Sequence, residues 1–428
     1  MDKKLGLWAC TALVVGNMIG TGIFLLPASL ASYGGWSLLG WLFTTGGSLC
    51  LALVLAWLSA LLPKAGGMYA YTASAFGPFA GFMAAWGYWL CLVATNAAIA
   101  VGVVGPLAML WPVLNDVPLL GASVALALNL LLTAINCRGV QTASSWQNIT
   151  TLLKLLPFVA IILGGLFAIN PDLLFSAGSA HHGFEAVSGS ATLTLWAFLG
   201  FESATFLSLV AKDPAKTIPR ATIIGTLVTA VVYILSTTVV QGLVPAAVLG
   251  KSTAPFVDAA SRLWGPTAAL MIAGGAVISG FGALNGWILL GGQVPQAMAA
   301  DGMLPAIFAR LNRRGAPAFS LWLTALVSSA LILANYTRGL VGLYTFVILL
   351  ATLGSLIPYV FCSLAYLVLR RGLALSRPHL VIAVLGFLYS MWAIYGAGQE
   401  VVYWGFLLWL SGVVIYVAMR RSQLSPNL

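Results

Sequence analysis

The first long apolar stretch of the chain is interrupted by glycines. Residues 16–27 read GNMIGTGIFLLP, so that Gly16, Gly20 and Gly22 fall within seven residues. Each glycine destabilises a helix interior by about 1 kcal/mol relative to alanine. The pattern predicts a membrane helix that breaks halfway, where the freed backbone groups are tolerated only if they line a cavity. The alternative is that these glycines only let neighbouring helices pack closely.

The composition places most of the chain in a lipid bilayer. Of its 428 residues, 61% are hydrophobic and 7% are charged, whereas a soluble domain carries about 25% charged residues. A span needs about 20 residues, so we expect an all-α integral membrane protein: one transmembrane domain over 1–428, with twelve transmembrane helices. Residues 299–314 between two spans indicate a short interfacial amphipathic helix. The spans are predicted near 7–31, 36–62, 80–110, 118–137, 145–168, 190–209, 221–243, 266–297, 318–336, 340–370, 378–397 and 401–419.

The loop charges predict the orientation of these spans. With twelve spans, both termini and every second loop share one side, which carries 15 of the 19 Lys and Arg residues. The other side carries Lys251, Arg262 and Arg338. Because Lys and Arg collect in cytoplasmic loops, we expect cytoplasmic N- and C-termini in a multi-pass protein of the cell inner membrane. The net charge of +10 then requires no nucleic-acid partner.

A second interruption lies in the sixth predicted span, near 190–209. Gly200 and a mid-membrane charge, Glu202, disturb its helical pattern. Breaks in spans one and six, five spans apart, indicate an inverted five-plus-five repeat with a site at the repeat interface. We therefore expect repeat one over about 7–168, repeat two over about 190–370, and two extra helices at 378–419.

Four residues near the predicted breaks are candidates for chemistry. Thr21 and Gly22 would begin the outer half of the first helix, whose free N–H groups attract a carboxylate. Glu202 is the one carboxylate predicted within hydrocarbon, and it is either a proton carrier or a neutral group that bonds free backbone atoms. Lys154 either snorkels to the cytoplasmic face or lies beside the first break, in place of a coupling cation.

Several more polar and aromatic side chains inside spans are candidates for lining a cavity. Trp196 and Trp287 could close over a substrate or face a cation, while Asn96 and Asn285 could bind substrate or join two helices. Weaker candidates of the same kind are Tyr69, Tyr88, Ser355 and Tyr359. The sequence contains no P-loop, metal-ligand cluster or catalytic triad, so we expect no enzyme, cofactor or metal.

Several of these motifs together resemble one family. The segment 16–27 resembles the first-helix signature of the amino acid–polyamine–organocation (APC) transporters. Four further stretches resemble the basic amino acid/polyamine antiporter branch, and most closely the bacterial arginine/agmatine and putrescine/ornithine antiporters. They are 63–71 (PKAGGMYAY), 194–204 (TLWAFLGFESA), 286–293 (GWILLGGQ) and 300–310 (ADGMLPAIFAR).

The resemblance implies a LeuT-like fold, alternating access and a set of site residues. Thr21 and Gly22 would hold a substrate carboxylate, and Trp196 would act as the outer gate. Tyr69 and Tyr88 match aromatic positions linked with gating and acid sensing, and Glu202 matches the family's acidic residue in the sixth helix. Carbonyls near Ile19, Trp196 and Leu199 would take an α-amino group. The implied substrate-binding set is Ile19, Gly20, Thr21, Gly22, Asn96, Trp196, Leu199, Trp287 and Ser355.

The chain also departs from the branch that it resembles. Lys154 has an apolar counterpart in the arginine/agmatine antiporters, and a lysine there resembles proton-coupled members elsewhere in the superfamily. Leu92 and Ile99 replace different side-chain contacts of that branch, and Asn285 is more polar than its counterpart. The additional acidic residue of the polyamine antiporters, near Tyr71, is absent. An α-amino acid therefore fits better than a diamine.

These observations predict an amino acid transporter that exchanges an amino acid against a related amino acid or amine. The alternative within transport is proton-coupled uptake or efflux of neutral amino acids, with Lys154 or Glu202 carrying the proton. A polyamine transporter and a non-transporting membrane receptor are less favoured. The expected partners are the small-molecule substrate, protons and the lipid bilayer, and the sequence leaves a homodimer open.

Overall fold

The computed structural model describes residues 5–63, 66–138, 140–175, 181–207, 211–336, 339–370 and 377–424. Within these ranges the fold is all-helical, and the only strand-like feature is an isolated bridge between Leu5 and Ala211. Five cations used for the predicted orientation lie outside the described residues: Lys3, Lys4, Lys64, Arg338 and Arg371.

Eighteen α-helices, α1 to α18, account for nearly all of the described chain. In the first half they are α1 (Leu7–Met18), α2 (Gly22–Leu30), α3 (Trp36–Leu61), α4 (Met68–Phe76), α5 (Pro78–Ala108), α6 (Val113–Asp116), α7 (Pro118–Asn136), α8 (Val140–Gly165) and α9 (Pro171–Phe175).

The second half contains longer helices joined by short turns. They are α10 (Gly183–Phe198), α11 (Pro214–Leu243), α12 (Ala246–Leu249), α13 (Pro255–Trp264), α14 (Pro266–Ala300), α15 (Ala318–Asn335), α16 (Gly339–Leu369), α17 (Arg377–Gly396) and α18 (Gln399–Leu424). Four 3₁₀ segments occur at Ala31–Tyr33, Leu166–Ala168, Phe201–Leu207 and Ala306–Ala309.

The long apolar helices are those of a membrane protein. Eight helices of the described chain are long and apolar enough to cross a bilayer, and α1 with α2 makes a ninth if the bent pair is one span. Two shorter apolar helices cover Leu153–Ala168 and Ala318–Ala334. Each of the twelve predicted apolar stretches overlaps helix within the described ranges, whereas the count of twelve complete spans stays a prediction.

The first predicted break is present and is sharp. Helix α1 ends at Met18, α2 begins at Gly22, and the two are bent by 46°. Ile19 between them has an extended conformation, with φ −79° and ψ 96°, which a helix cannot continue through. The glycine pattern therefore predicts this break correctly.

Helix α5 forms the centre of the fold. In its membrane-crossing stretch, 89% of the residues are buried, and it packs against α14, α16, α4, α15 and α7. The corresponding shares are 28% for α17 and 17% for α18. These last two helices therefore lie at the periphery, where exposed apolar side chains are suited to lipid.

The predicted interfacial helix at 299–314 is wrong. Helix α14 continues to Ala300, Gly302 then takes a positive φ of 73°, and only Ala306–Ala309 form a 3₁₀ turn. Pro305 precedes that turn and cannot donate a backbone hydrogen bond to an earlier residue. The apolar spacing of this segment is helical, but its glycine and proline prevent a helix.

Candidate functional site

The two helix breaks touch each other in the middle of the bundle. Helix α10 ends at Phe198, and the chain continues as a 3₁₀ segment from Phe201. Gly200 between them has a φ of 115°, and a methyl group on it would lie 3.0 Å from the backbone of Asn17 and Met18. Glycine is required here both for the backbone conformation and for the close approach of α1.

Three buried side chains bond the carbonyl groups at the broken end of α1. The last four carbonyls of any helix lack intrahelical donors, and burying them without partners is costly. Here the donors come from α8, α11 and α14. The pairs are Lys154 Nζ to Gly16 O at 2.8 Å, Trp287 Nε1 to Asn17 O at 2.9 Å, and Tyr233 Oη to Met18 O.

Lys154 lies beside the first break. Its side chain is 1% exposed, so it does not snorkel to a membrane surface. The ion pairs in the described residues are His181–Glu185 and Lys216–Asp213, which leaves no described carboxylate within 4 Å of the Lys154 ammonium. The burial and the bond to the Gly16 carbonyl place the Lys154 amine beside the first break, and its role in place of a coupling cation stays a prediction.

Glu202 links the second break to two neighbouring helices. Its Oε1 accepts a hydrogen bond from Tyr88 Oη of α5 at 2.9 Å. Its Oε2 accepts from Tyr359 Oη of α16 at 2.9 Å and from the backbone N–H of Gly200 at 2.9 Å. The side chain is fully buried, and three donors compensate for the loss of water around the carboxylate.

The predicted carboxylate site at the start of α2 is covered by an aromatic ring. A methyl group on Gly22 would lie 1.4 Å from Cζ3 of Trp196, so the indole rests on the Gly22 backbone. The Thr21 hydroxyl donates to the carbonyl of Ile99 at 3.1 Å. The positive end of α2, its first turn of amides and the Trp196 ring therefore lie together.

Asn96 is a buried amide with unmet hydrogen-bonding capacity. It lies in α5, is 1% exposed, and neither its Oδ1 nor its Nδ2 has a hydrogen-bond partner in the described chain. A methyl group on Gly291 of α14 would lie 3.5 Å from Nδ2. Because buried amides normally have hydrogen-bond partners, the Asn96 side chain is a candidate for binding a ligand or water.

The remaining candidates differ in what they contact. Trp196 O accepts from the Leu199 N–H at 3.0 Å, while Ser355 Oγ donates to Thr352 O within α16 at 2.8 Å. Asn285 Oδ1 accepts from Asn136 Nδ2 of α7 at 2.8 Å. This last pair joins two helices, as one of the two interpretations of Asn285 expected.

Tyr69 of α4 contacts the segment that follows α14 rather than a helix break. Its hydroxyl donates to Met303 Sδ at 3.3 Å, and it also interacts with the Asp301 carboxylate. Burial, together with Asp301, raises the pKa of Tyr69 above its ordinary value of 10.0. The phenol therefore stays neutral over the whole physiological range.

All nine predicted substrate-binding residues are buried. None of them lines the cavity of about 300 Å³ between α5, α15, α16 and α18, whose lining is apolar. No group of three or more potential metal ligands occurs in the described part of the chain.

Sequence reasoning missed two contacts of the breaks. Tyr233 on α11 is not among the predicted candidates, although a tyrosine in the middle of an apolar helix needs a partner for its hydroxyl. The Ile99 carbonyl that accepts from Thr21 has no sequence signal, because every residue carries a carbonyl group.

The chain is similar to known proteins along nearly its whole length. A family model described as amino acid permease matches residues 5–423. The putrescine transporter PotE of Escherichia coli strain K12 is 33% identical, over 97% of this chain and 96% of its own length.

Two further relatives have antiporter names. A putative arginine/ornithine antiporter of Bacillus subtilis strain 168 is 36% identical, over 83% of this chain and 82% of its own length. A putative arginine/ornithine antiporter of Escherichia coli strain K12 is 30% identical, over 100% of this chain and 94% of its own length. The family match covers nearly the whole chain, and the protein belongs to the amino acid permease family.

Proposed function

We propose that this protein is an amino acid transporter of the cytoplasmic membrane that exchanges an amino acid against a related amino acid or amine. The observation that carries the proposal is the contact of two helix breaks around Gly200 and Asn17, deep in an apolar bundle. Unwound backbone inside a membrane is tolerated where it binds a polar substrate. Relatives named as arginine/ornithine antiporters support exchange as the mode.

The architecture that we propose is a twelve-span LeuT-like fold with broken helices 1 and 6. Repeat one would cover about 7–168, repeat two about 190–370, and two extra helices 378–419. The eight apolar spans, the bent first pair and the positions of the two breaks support this arrangement.

We propose that the substrate carboxylate binds at Gly20, Thr21 and Gly22, at the positive end of α2. An α-amino group would bind backbone carbonyls near Ile19, Trp196 and Leu199. The free amide of Asn96 supports a role in binding the far end of the substrate. We propose that Trp287 and Ser355 also contact the far end of the substrate.

Alternating access would then require two sets of contacts around the proposed site to open in turn. Trp196 over Gly22 is suited to cover the site from the outer side. The bonds of Glu202 to Tyr88 and Tyr359 are suited to hold α10 against α5 and α16. Protonation of Glu202 would remove the negative charge to which both hydroxyls donate. Glu202 is therefore the proposed proton-sensitive group of this contact. Tyr69 of α4, which contacts Met303, would act as a further gate.

A second candidate is proton-coupled transport of neutral amino acids. It is favoured by Lys154, a buried amine that bonds the Gly16 carbonyl of the broken helix. Gain or loss of a proton on this amine would change its bond to the break, and with it the balance between open and closed states. In this candidate Lys154 or Glu202 carries the proton.

A polyamine transporter and a receptor can each be tested separately. A polyamine substrate is suggested by the name of the 33% identical relative, whereas Glu202 alone offers a diamine few anchors. A receptor that binds without transport would bind substrate but move none. We further propose that the protein lies in the cell inner membrane with cytoplasmic N- and C-termini. The sequence leaves a homodimer open.

Transport into liposomes distinguishes these functions. Purified protein is reconstituted, and uptake of labelled arginine, ornithine, putrescine and alanine is measured into vesicles with and without internal ornithine. Exchange predicts arginine uptake that depends on internal ornithine and survives collapse of the pH gradient. Uptake that needs no internal substrate but stops without a pH gradient would overturn exchange and favour proton coupling.

Two variants test the proposed proton roles. Glu202→Gln keeps the shape of the side chain without its charge, and Lys154→Ala removes the buried amine. If neither variant changes transport or its pH dependence, the proton roles are wrong. Thermal stabilisation by a substrate without uptake would instead favour a receptor, because a ligand stabilises the state that binds it.

A further inference from the structure

A basic and aromatic cluster lies where α3, α16 and α17 meet, away from the helix breaks. Trp57 of α3 and His379 of α17 have ring centroids 4.2 Å apart, and both rings contact Tyr366 of α16, at 5.2 Å and 6.3 Å. The Arg370 guanidinium lies over the Tyr366 ring, with Cζ 5.8 Å from its centroid. We call these four residues the Arg370 cluster.

Two polar groups of the Arg370 cluster are buried without a partner. Tyr366 is 1% exposed, and its hydroxyl has no hydrogen-bond partner in the described chain. The Nε of Arg370 is likewise buried and unbonded among the described residues. Buried donors of this kind are rare in native proteins, and each calls for a ligand or water.

No described carboxylate neutralises Arg370. The ion pairs of the described chain involve His181 with Glu185, and Lys216 with Asp213. A guanidinium in partly buried surroundings without an anion is destabilising, and its planar fork of donors matches a phosphate or carboxylate.

The same chain provides a pair with identical spacing but different surroundings. Tyr416 and Arg420 near the end of α18 are also four residues apart, and Arg420 Cζ lies 5.6 Å from the Tyr416 ring centroid. There the Arg420 Nε bonds the Tyr416 hydroxyl at 3.1 Å, and the arginine is exposed. The open donors of the Arg370 cluster are therefore not a general result of this spacing.

A helix N-terminus adds positive potential at the same place. Helix α17 begins at Arg377, two residues before His379, so that its first turn lies beside the rings of Trp57 and Tyr366. The positive end of its dipole favours an anion. Basic pockets between helices at the membrane surface are the kind of site that binds phospholipid head groups.

We propose that the Arg370 cluster is a phosphate-binding site at the basic end of the bundle, contacted by the guanidinium of Arg370 and the hydroxyl of Tyr366. The chemistry is shared by the phosphodiester of an anionic phospholipid head group and by free inorganic phosphate. The position of the cluster at the ends of three apolar helices makes the lipid the expected source. The bound lipid would fasten α17 to α3 and α16.

The test compares matched arginine variants of the full chain. Delipidated protein in neutral detergent is titrated with phosphatidylglycerol, with phosphatidylcholine or with inorganic phosphate, and the thermal unfolding midpoint gives the affinity. We expect Arg370→Gln to weaken phosphatidylglycerol binding about tenfold, since it removes a charge-assisted pair. Arg420→Gln makes the same charge change and should leave the affinity within about twofold of the wild type.

The outcomes distinguish a lipid head group from free phosphate, and they also test whether the site exists. Stabilisation by phosphatidylglycerol alone identifies the anionic lipid head group, and equal stabilisation by inorganic phosphate identifies the free ion. Equal stabilisation by phosphatidylcholine, whose head group has no net charge, would overturn an anion site. Equal losses in Arg370→Gln and Arg420→Gln, or no loss in either, would overturn the site. If Arg370→Gln does not fold, Tyr366→Phe keeps the ring and removes only the hydroxyl, and unchanged phosphatidylglycerol binding in that variant would overturn the proposal.

Discussion

The indole ring of Trp196 rests directly on the backbone of Gly22, where a methyl group would lie 1.4 Å from Cζ3 and 2.1 Å from Cη2. The two residues belong to the two broken segments, α2 and α10, so this contact joins the two breaks. The ring can lie there only because position 22 has no side chain. The covering ring and the proposed carboxylate site thus depend on the same glycine.

Gly22→Ala should displace the Trp196 ring and impair transport. The added methyl group forces the indole to move or the helices to separate, and overpacking of this kind costs about 1–3 kcal/mol. We expect a lower thermal unfolding midpoint and a change in tryptophan fluorescence, both measured on purified protein. Truncation of the ring in a Gly22→Ala, Trp196→Ala double variant should restore part of the lost stability.

Gly46→Ala is the matched control for this prediction. Gly46 lies inside α3, and a methyl group on it would meet nothing within 4 Å. That variant should be neutral or more stable by up to about 1 kcal/mol, because alanine is the better helix former. Equal effects of the two substitutions would contradict the Trp196 contact.

Gly200→Ala should lower the free energy of unfolding more than the same substitution at Gly398, another glycine with a positive φ. Gly200 has a φ of 115°, and its added methyl group would lie 3.0 Å from the α1 backbone, which cannot rotate away. Gly398 also has a positive φ, of 88°, but open space around it. Both variants would suffer backbone strain of about 1–3 kcal/mol, so their difference in unfolding free energy measures the contact between the breaks.

Tyr69 gives a prediction for alkaline pH. Its pKa is raised in the folded state by burial and by Asp301, so its hydroxyl contributes stability that is complete below the ordinary value of 10.0. That contribution is lost as pH rises further, since the unfolded chain then ionises first. The stability gap between wild type and Tyr69→Phe should be constant from about pH 6 to about pH 9, and narrow above about pH 10.

The control for this titration is Tyr395→Phe, because Tyr395 is 88% exposed. Its stability gap should stay small throughout. Transport should likewise show no transition below about pH 9 that depends on the Tyr69 hydroxyl. An acidic transition that disappears in Tyr69→Phe would show that this phenol acts through a process other than its own ionisation.

The breaks could be predicted because their causes are local in sequence. Gly16, Gly20 and Gly22 weaken one helix, and Gly200 with Glu202 weakens another, so the periodic pattern fails where the structure breaks. The failure at 299–314 has the opposite origin. There the helical spacing is real, but the conformations of Gly302 and Pro305 override it.

The partners of the breaks could not be predicted, because they depend on tertiary packing. Tyr233 lies 215 residues from Met18, and Tyr359 lies 157 residues from Glu202. Composition shows that each tyrosine needs a hydrogen bond but not where it finds one. The sequence leaves the depth of Lys154 in the membrane undetermined for the same reason. Only the packing of α8 against α1 determines whether its amine lies at a membrane surface or beside the first break.

Lys154→Ala should destabilise the protein and slow transport. It leaves the buried Gly16 carbonyl without its donor, which costs about 1–3 kcal/mol, and frees the end of α1. The measurements are the thermal unfolding midpoint and the initial rate of uptake in liposomes. Lys216→Ala removes an exposed lysine paired with Asp213 at 3.4 Å and should change stability by less than about 1 kcal/mol. Wild-type behaviour of Lys154→Ala would contradict the role assigned to this bond.

The hydrogen bonds of Glu202 allow the effect of its charge on transport to be measured separately from the effect of its tyrosine partners. Glu202→Gln can keep all three bonds, with its oxygen toward Gly200 and Tyr359 and its amide toward the Tyr88 oxygen, which also accepts. It should therefore fold well but lose the pH dependence of transport.

Tyr88→Phe and Tyr359→Phe make the complementary change, because each keeps the charge and removes one donor. Each should destabilise the protein by about 1–3 kcal/mol and keep a pH-dependent rate, measured as initial uptake between about pH 5 and about pH 8. If the wild type and Glu202→Gln have the same pH profile, Glu202 only braces the second break. If instead the profile flattens in Glu202→Gln but persists in both phenylalanine variants, the proton acts on the carboxylate itself.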